Sequence, residues 1–166
     1  YPLFQDLQQQ AGPFADVLCR RLVPVSLSVA NQTERLQVEL VSGNYFSMLG
    51  VKPALGRVFN SQEDDQVYQG HPVAVLSYDY WVSRFASDRN VIGKKILIND
   101  SPITIVGVSA AGFAGIDPAQ SPQIRVPILM KTAMTPEWTW LRMDDCSGTG
   151  VCCSSRTTSR TLAASS

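Results

Sequence analysis

The chain has 166 residues, 45% of them hydrophobic and 17% charged, with 14 Lys+Arg against 14 Asp+Glu. With a mean hydropathy of +0.00 and a pI of about 6.8, such a composition builds a core and excludes wholesale disorder, and its zero net charge excludes a summed positive field that would gather nucleic acid or anionic headgroups. No apolar run approaches the roughly 20 residues of a membrane span, and Tyr1-Pro2-Leu3-Phe4 is not a charged segment followed by an apolar one, so neither a transmembrane segment nor an export signal is predicted.

In chain order, Leu3, Phe4 and Leu7 recur at helical spacing and predict a short amphipathic helix over Leu3–Gln10, stopped by Gly12-Pro13. Val25, Leu27 and Val29 alternate with polar residues, as do Leu36, Val38 and Leu40, predicting two antiparallel strands about a turn at Asn31-Gln32. Ser42-Gly43-Asn44 offers capping side chains to a brief helix, Tyr45–Leu49, that Gly50 closes. Lys52–Phe59 reads as a loop, and Asn60–Gly70, with Glu63-Asp64-Asp65, as a polar acidic segment that marks a subdomain boundary. The run Val73–Leu76 predicts a buried strand. Ser77 then caps a helix over Tyr78–Ala86 whose apolar face is Tyr78, Trp81, Val82 and Phe85. Ile96 and Ile98, a turn at Asn99–Pro102, and Ile103–Val108 form a second hairpin. Gly112–Gly115 is a flexible loop, and Ile124–Leu129 a last strand that Pro127 confines to an edge or end. Beyond Trp140 the Ser/Thr/Cys/Arg composition has no period, predicting disorder from about Asp144.

Chemistry is sparse. The nucleophile-elbow, phosphate-loop, dinucleotide and zinc-helix motifs are all missing from the sequence. The single imidazole, His71, sits beside Pro72 in a loop context and reads as an ordinary loop histidine. Glu63, Asp64 and Asp65 are consecutive, so their side chains diverge instead of converging as an acid–base pair, and their spacing does not match a calcium loop. Asp79 falls in the first turn of a helix, where the macrodipole accounts for it. Tyr78, Tyr80, Trp81 and Phe85, with only Arg84, Arg89, Lys94 and Lys95 nearby, read as core packing with tyrosine hydroxyls at the surface, not as a base-stacking platform. Cys19 reads as a small buried apolar residue, and Cys146, Cys152 and Cys153 as free thiols without zinc spacing. No catalytic, cofactor-binding or metal-ligating residue is assigned.

Several segments taken together resemble a known family: Leu40–Phe46, Gly50–Phe59, Pro72–Ser77, Tyr80-Trp81, Arg84-Phe85, Val91–Lys94, Ile98-Asn99, Ile103–Val108, Gly112-Phe113 and Val126-Pro127. They are similar to the MacB-like periplasmic core domain of bacterial ABC-type permeases, of the acidobacterial variety. The resemblance implies an α+β fold with a mixed sheet and short helices, in which residues 1–65 form the first half of a Porter-like subdomain, 66–130 a strand-rich Sabre-like subdomain, and 131–166 an atypical disordered tail. It also implies a non-catalytic extracytoplasmic domain on the periplasmic side of the inner membrane, without cofactor, that relays conformational change to substrates or partner proteins in transport or efflux. The implied partners are the transmembrane and ATP-hydrolysing modules of a parent permease and a periplasmic protein, with a homodimer through an unpaired strand edge a further expectation. After Trp138–Leu141 the sequence departs from the family pattern, as a truncated or out-of-frame tail would. A small secreted ligand-binding module on the same fold is the alternative. Loops Asn60–Gly70 and Gly112–Ser121 are the expected contact surfaces.

Overall fold

The computed structural model describes residues 15–29, 32–64, 72–130 and 151–157. Its strands are β1 (Ala15–Val29), β2 (Gln32–Val41), β3 (Pro53–Gly56), β4 (Val73–Leu76), β5 (Lys95–Ile98), β6 (Ser101–Ser109), β7 (Ile124–Pro127) and β8 (Val151–Thr157), and its helices are α1 (Tyr45–Met48), α2 (Ser61–Asp64) and α3 (Tyr78–Phe85). The predicted helix over Leu3–Gln10 lies outside the described residues.

β1 and β2 are antiparallel in unbroken register from Arg20↔Val41 to Val29↔Gln32. β2 runs parallel to β7, which is antiparallel to β4. β4 is parallel to β6, β6 antiparallel to β5, and β5 returns to β1 through Leu27↔Ile98 and Ser28↔Leu97. The pairings therefore close on themselves, β1-β2-β7-β4-β6-β5-β1, with β3 attached to β6 and β8 to β1. The α+β class with a mixed sheet and short helices is as expected. Strands from both sides of the acidic segment, whose residues 65–70 are outside the described set, share this one sheet.

Alternation sorts the side chains into two apolar layers. Val25, Leu27, Val38, Leu40, Ala74, Leu76, Ile96, Ile98, Ile103, Ile105, Ile124 and Val126 form the main core. The opposite phase of the same strands carries Leu18, Val41 and Val75 into a second cluster with Tyr45, Phe46 and Phe59, beneath α1.

Four expectations need correction. The predicted loop after Lys52 contains β3, because β6 is longer than its partners and offers it backbone groups to pair; Pro53, lacking an N–H, sits at the strand start, where a donor is dispensable. Disorder after Asp144 gives way, at Val151–Thr157, to β8, paired with Ala15–Arg21. On the edge opposite β2, β5 pairs β1 only at Leu27 and Ser28, and the earlier part of that edge offers a row of N–H and C=O groups that an extended chain satisfies without any hydrophobic period. Val82 is 41% exposed while Tyr80 is buried; Tyr80 Oη donates to a Glu34 carboxylate on β2, which turns the helix so that the tyrosine faces inward and not outward as expected. Asn44 precedes α1 without a side-chain cap. Ser42 Oγ instead donates to Asn44 Oδ1 at 2.7 Å and accepts from Cys19 N at 3.1 Å, so the Ser-Gly-Asn segment ties β1 to the start of α1.

Other expectations are met. Ser77 accepts from Tyr80 N at 3.3 Å as the α3 cap, β5 alternates buried at Ile96 and Ile98, Asn99 and Asp100 both take positive φ in the second hairpin turn, and Pro127 ends β7. Of the turn predicted at Asn31-Gln32, Asn31 lies outside the described residues and Gln32 opens β2 opposite Val29. Gly107 faces Arg57 so closely that a Cβ would stand 1.8 Å from the Arg57 carbonyl oxygen, and only glycine admits that approach.

Candidate functional site: a buried ion cluster beside an open cleft

On the face that packs under α1, Glu39 of β2 and Arg125 of β7 are register partners, and Arg20 of β1 lies diagonally across from Glu39, whose own register partner is Leu22. Each charge occupies the outward phase of a strand whose inward phase fills the main core, so the pleat brings all three to one spot. Arg125 Nε donates to Glu39 Oε2 at 2.9 Å, Arg20 Nη1 to Oε1 at 2.9 Å, and Tyr45 Oη to Oε2 at 3.2 Å. The Glu39 and Arg125 side chains are 0% exposed. One carboxylate thus serves two guanidiniums. Burial pushes the Tyr45 phenol up to about 12, with the adjacent Glu39 charge acting in the same direction.

The loop after β6 covers this cluster. The Phe113 ring lies 4.7 Å from the Arg125 guanidinium carbon, a cation–π contact, and also meets Tyr45 and Phe46 at ring-centroid distances of 6.3 and 6.0 Å. Gly115, at φ +103°, passes so near that a Cβ there would be 2.9 Å from Arg125 Nη2. A segment read as a flexible glycine loop is therefore packed onto a buried charge. Phe113 also forms a wall of an open cleft of 470 Å³, whose other sides include Glu34 and Leu36 of β2, Asp79 and Tyr80 of α3, and Ser121. Arg84 fastens the α3 side, with Nε 3.3 Å from Glu34 Oε1 and Nη2 3.0 Å from Gln32 Oε1. The pairing with Glu34, after burial itself, raises the Tyr80 phenol.

The residues considered from sequence separate by role. His71 and Asp65 lie outside the described residues. Glu63 is 58% exposed and 3.7 Å from Arg57. Asp64, expected in a solvated acidic loop, is instead buried: it takes Arg57 Nη1 at 2.9 Å and Nη2 at 3.3 Å and accepts from Asn60 N at 2.8 Å. That fork raises the Arg57 guanidinium, the hydrogen bond to Asp64 being the main cause, and makes Asp64 a clasp between α2 and the chain after β3. Glu63 Oε2 and Asp64 Oδ1 both approach Arg57 Nη2, at 3.7 and 3.3 Å, so the two carboxylates share one guanidinium. Asp79 stands in the first turn of α3. Tyr78 and Tyr80 meet Trp81 and Phe85 edge-to-face, and Trp81 Nε1 donates to the Asp88 carbonyl at 2.9 Å, as core residues do. Cys19 is buried, and its Cα is in register with that of Cys153 on β8, whereas Cys152 is opposite Arg20; Cys146 lies outside the described residues. Among the described residues no three His, Cys, Asp or Glu side chains gather as metal ligands, and no helix is long and apolar enough to cross a membrane.

Sequence reasoning missed Glu39 and Arg125. The signal lay in two short strings, Val38-Glu39-Leu40 and Ile124-Arg125-Val126: single charges of opposite sign, each between apolar residues of a strand, which burial tolerates only if they meet.

The family model of the MacB-like periplasmic core domain matches residues 3–155. The chain belongs to this family. This MacB-like core domain is 33% identical over 91 residues to the macrolide export ATP-binding/permease protein MacB of Burkholderia cenocepacia (strain HI2424) and, at the same identity, to that of Burkholderia orbicola (strain AU 1054); the match covers 53% of the chain and 13% of each relative. Its fold is similar to the periplasmic region of MacB from Actinobacillus actinomycetemcomitans, with TM-score 0.65 at 19% identity over 96% of this chain and 65% of that one. It is also similar to the extracellular domain of the noncanonic ABC-type transporter YknZ from Gram-positive bacteria, with TM-score 0.62 at 14% identity over 80% of this chain and 65% of that one. The MacB-like core domain thus spans a small part of the curated relatives' length. The family match reaches into β8, past the point where composition loses its pattern.

Proposed function

We propose that this MacB-like core domain is the extracytoplasmic, non-catalytic module of an ABC-type permease that passes movement from the membrane-embedded part to substrates or a periplasmic partner. In this reading residues 1–65 are the first half of its Porter-like part and 66–130 its Sabre-like part, and the transmembrane and ATP-hydrolysing modules are its partners. The observation that carries the reading is the closed circuit of strand pairings: pulling on β1 loads β2 and β5 directly, and through them β7, β6 and β4. A sheet without a free seam transmits displacement with little internal give. The cleft at Phe113 and Ser121 is the proposed contact surface, since it joins loop residues to β2 of that rigid frame and to α3.

The test uses the full-length parent permease. Filling the cleft with Ala114→Trp is expected to lower transport several-fold per ATP hydrolysed. Unchanged coupling would remove the cleft from the reading, and a loss of ATP hydrolysis in proportion to transport would show that the domain does not act downstream of the nucleotide step.

A further inference from the structure

We infer that Cys19 and Cys153 are joined by a disulfide that staples β8 to β1. The two residues are opposite each other in the antiparallel β1–β8 ladder. Arg20 and Arg21 of β1 pair at once with Val41 and Leu40 of β2 and with Cys152 and Val151 of β8, so β2 and β8 flank β1 on opposite edges. Cys19 directs its backbone groups toward the β2 side: its carbonyl accepts from Ser42 N at 2.9 Å, and its N–H donates to Ser42 Oγ at 3.1 Å. On the β8 side Cys19 and Cys153 are therefore a non-hydrogen-bonded pair, the closer of the two antiparallel kinds, with Cα atoms about 4.5 Å apart. A disulfide requires a Cα separation of roughly 4.4–6.8 Å and Cβ atoms about 4 Å apart, and this kind of pair is the one that brings Cβ atoms nearer.

The same register sets the neighbouring cysteine aside. Cys152 stands opposite Arg20, one step along the pleat, and so falls on the other face of the sheet from Cys19 and Cys153. Closing the bond takes two protons and two electrons from two thiols. A small-molecule disulfide such as oxidised glutathione accepts them: one cysteine thiolate attacks it and releases the first glutathione, and the other cysteine thiolate attacks the mixed disulfide and releases the second. Cys19 is 2% exposed, which shields the finished bond from thiols in solution. The bond closes most of the chain into one loop and so confines the unfolded state, and it ties β8 to the closed circuit of strands. In the extracytoplasmic setting proposed above the compartment is oxidising, whereas the register owes nothing to that proposal and is tested on the chain alone, so either can fail without the other.

The experiment refolds the full 166-residue chain in oxidised and reduced glutathione, blocks remaining thiols with iodoacetamide and digests with trypsin in the absence of reductant. Cleavage after Arg20, Arg142 and Arg156 leaves Cys19 in one peptide and Cys146, Cys152 and Cys153 together in another. Mass spectrometry is expected to find these two peptides linked in the monomeric chain, with fragmentation placing the bridge on Cys153. The link should persist in Cys152→Ser and disappear in Cys153→Ser. The oxidised chain should unfold about 10 °C above the same chain kept in reductant, a difference that Cys153→Ser should lose. An alkylated Cys19 after oxidation, a bridge from Cys19 to Cys146 or Cys152, a bridge between Cys152 and Cys153, or a link found only in dimers would overturn the inference. Equal unfolding temperatures with and without reductant would overturn the staple. Should a variant fail to fold, fragmentation of the linked peptides from the unaltered chain still names the partner of Cys19.

Discussion

Glu39 holds two arginines and a phenol with its two oxygens while wholly buried. Removing one member of such a set strands the others in a medium of low polarity, which is why broken buried pairs cost far more than exposed ones. Glu39→Gln, which preserves shape and leaves two cations without their anion, is expected to lower stability by about 3–5 kcal/mol in denaturant unfolding; an unchanged midpoint would show that the cluster is not a stabilising centre. Tyr45 adds a pH dependence. Its phenol is raised from 10.0 to about 12 on folding, so the folded chain binds that proton more tightly than the unfolded one, and stability present below pH 10 is lost as pH rises toward 12. At about 1.4 kcal/mol per unit the loss is on the order of 3 kcal/mol. Tyr80, raised by its burial and by Glu34, acts in the same direction. Alkaline unfolding of Tyr45→Phe should show a flatter stability profile over this range than the unaltered chain, and identical profiles would assign the loss elsewhere.

At the scale of elements, local signals and neighbour effects divide cleanly. The start of α3 is written in Ser77, whose hydroxyl accepts from Tyr80 N; Ser77→Ala should cost about 1 kcal/mol by thermal unfolding, with the sheet unaffected. β6 is held by a different constraint, the absence of a side chain at Gly107 against the Arg57 backbone. Gly107→Ala forces β6 and the chain after β3 apart and is expected to cost about 1–3 kcal/mol; a neutral result would mean that the two segments separate freely. The hairpin of β5 and β6 and the helix α3 were readable because alternation, turn residues and a cap act within a few positions. β3 and β8 were not, because nothing in Pro53–Gly56 or Val151–Thr157 favours a strand except the open edges of β6 and β1 beside them.

For the whole molecule, the consequence of a closed pairing circuit is cooperativity. β1 and β2 come from before the acidic segment and β4–β7 from after it, yet the circuit needs both groups. Amide hydrogen exchange should therefore give the slowest protons of β2, β4 and β6 one common opening free energy. Two separate classes, one on each side of residues 65–71, would mean that the halves unfold independently and would weaken the proposal that the domain transmits movement as a rigid body.

The sequence by itself determined the α+β class, the two hairpins, the cap at Ser77 and the family resemblance, since each rests on residues close together along the chain or on their order. Tertiary structure alone decided that Glu39, Arg125 and Arg20 meet, that Phe113 and Gly115 lie on them, and that Asp64 is a buried clasp and not a solvated carboxylate. Glu39 and Arg125 are 86 residues apart, and alternation fixes only the face on which a strand displays a charge. Which strand lies alongside, in what register, is settled by the summed pairing and packing of the closed sheet, and no local pattern encodes that sum.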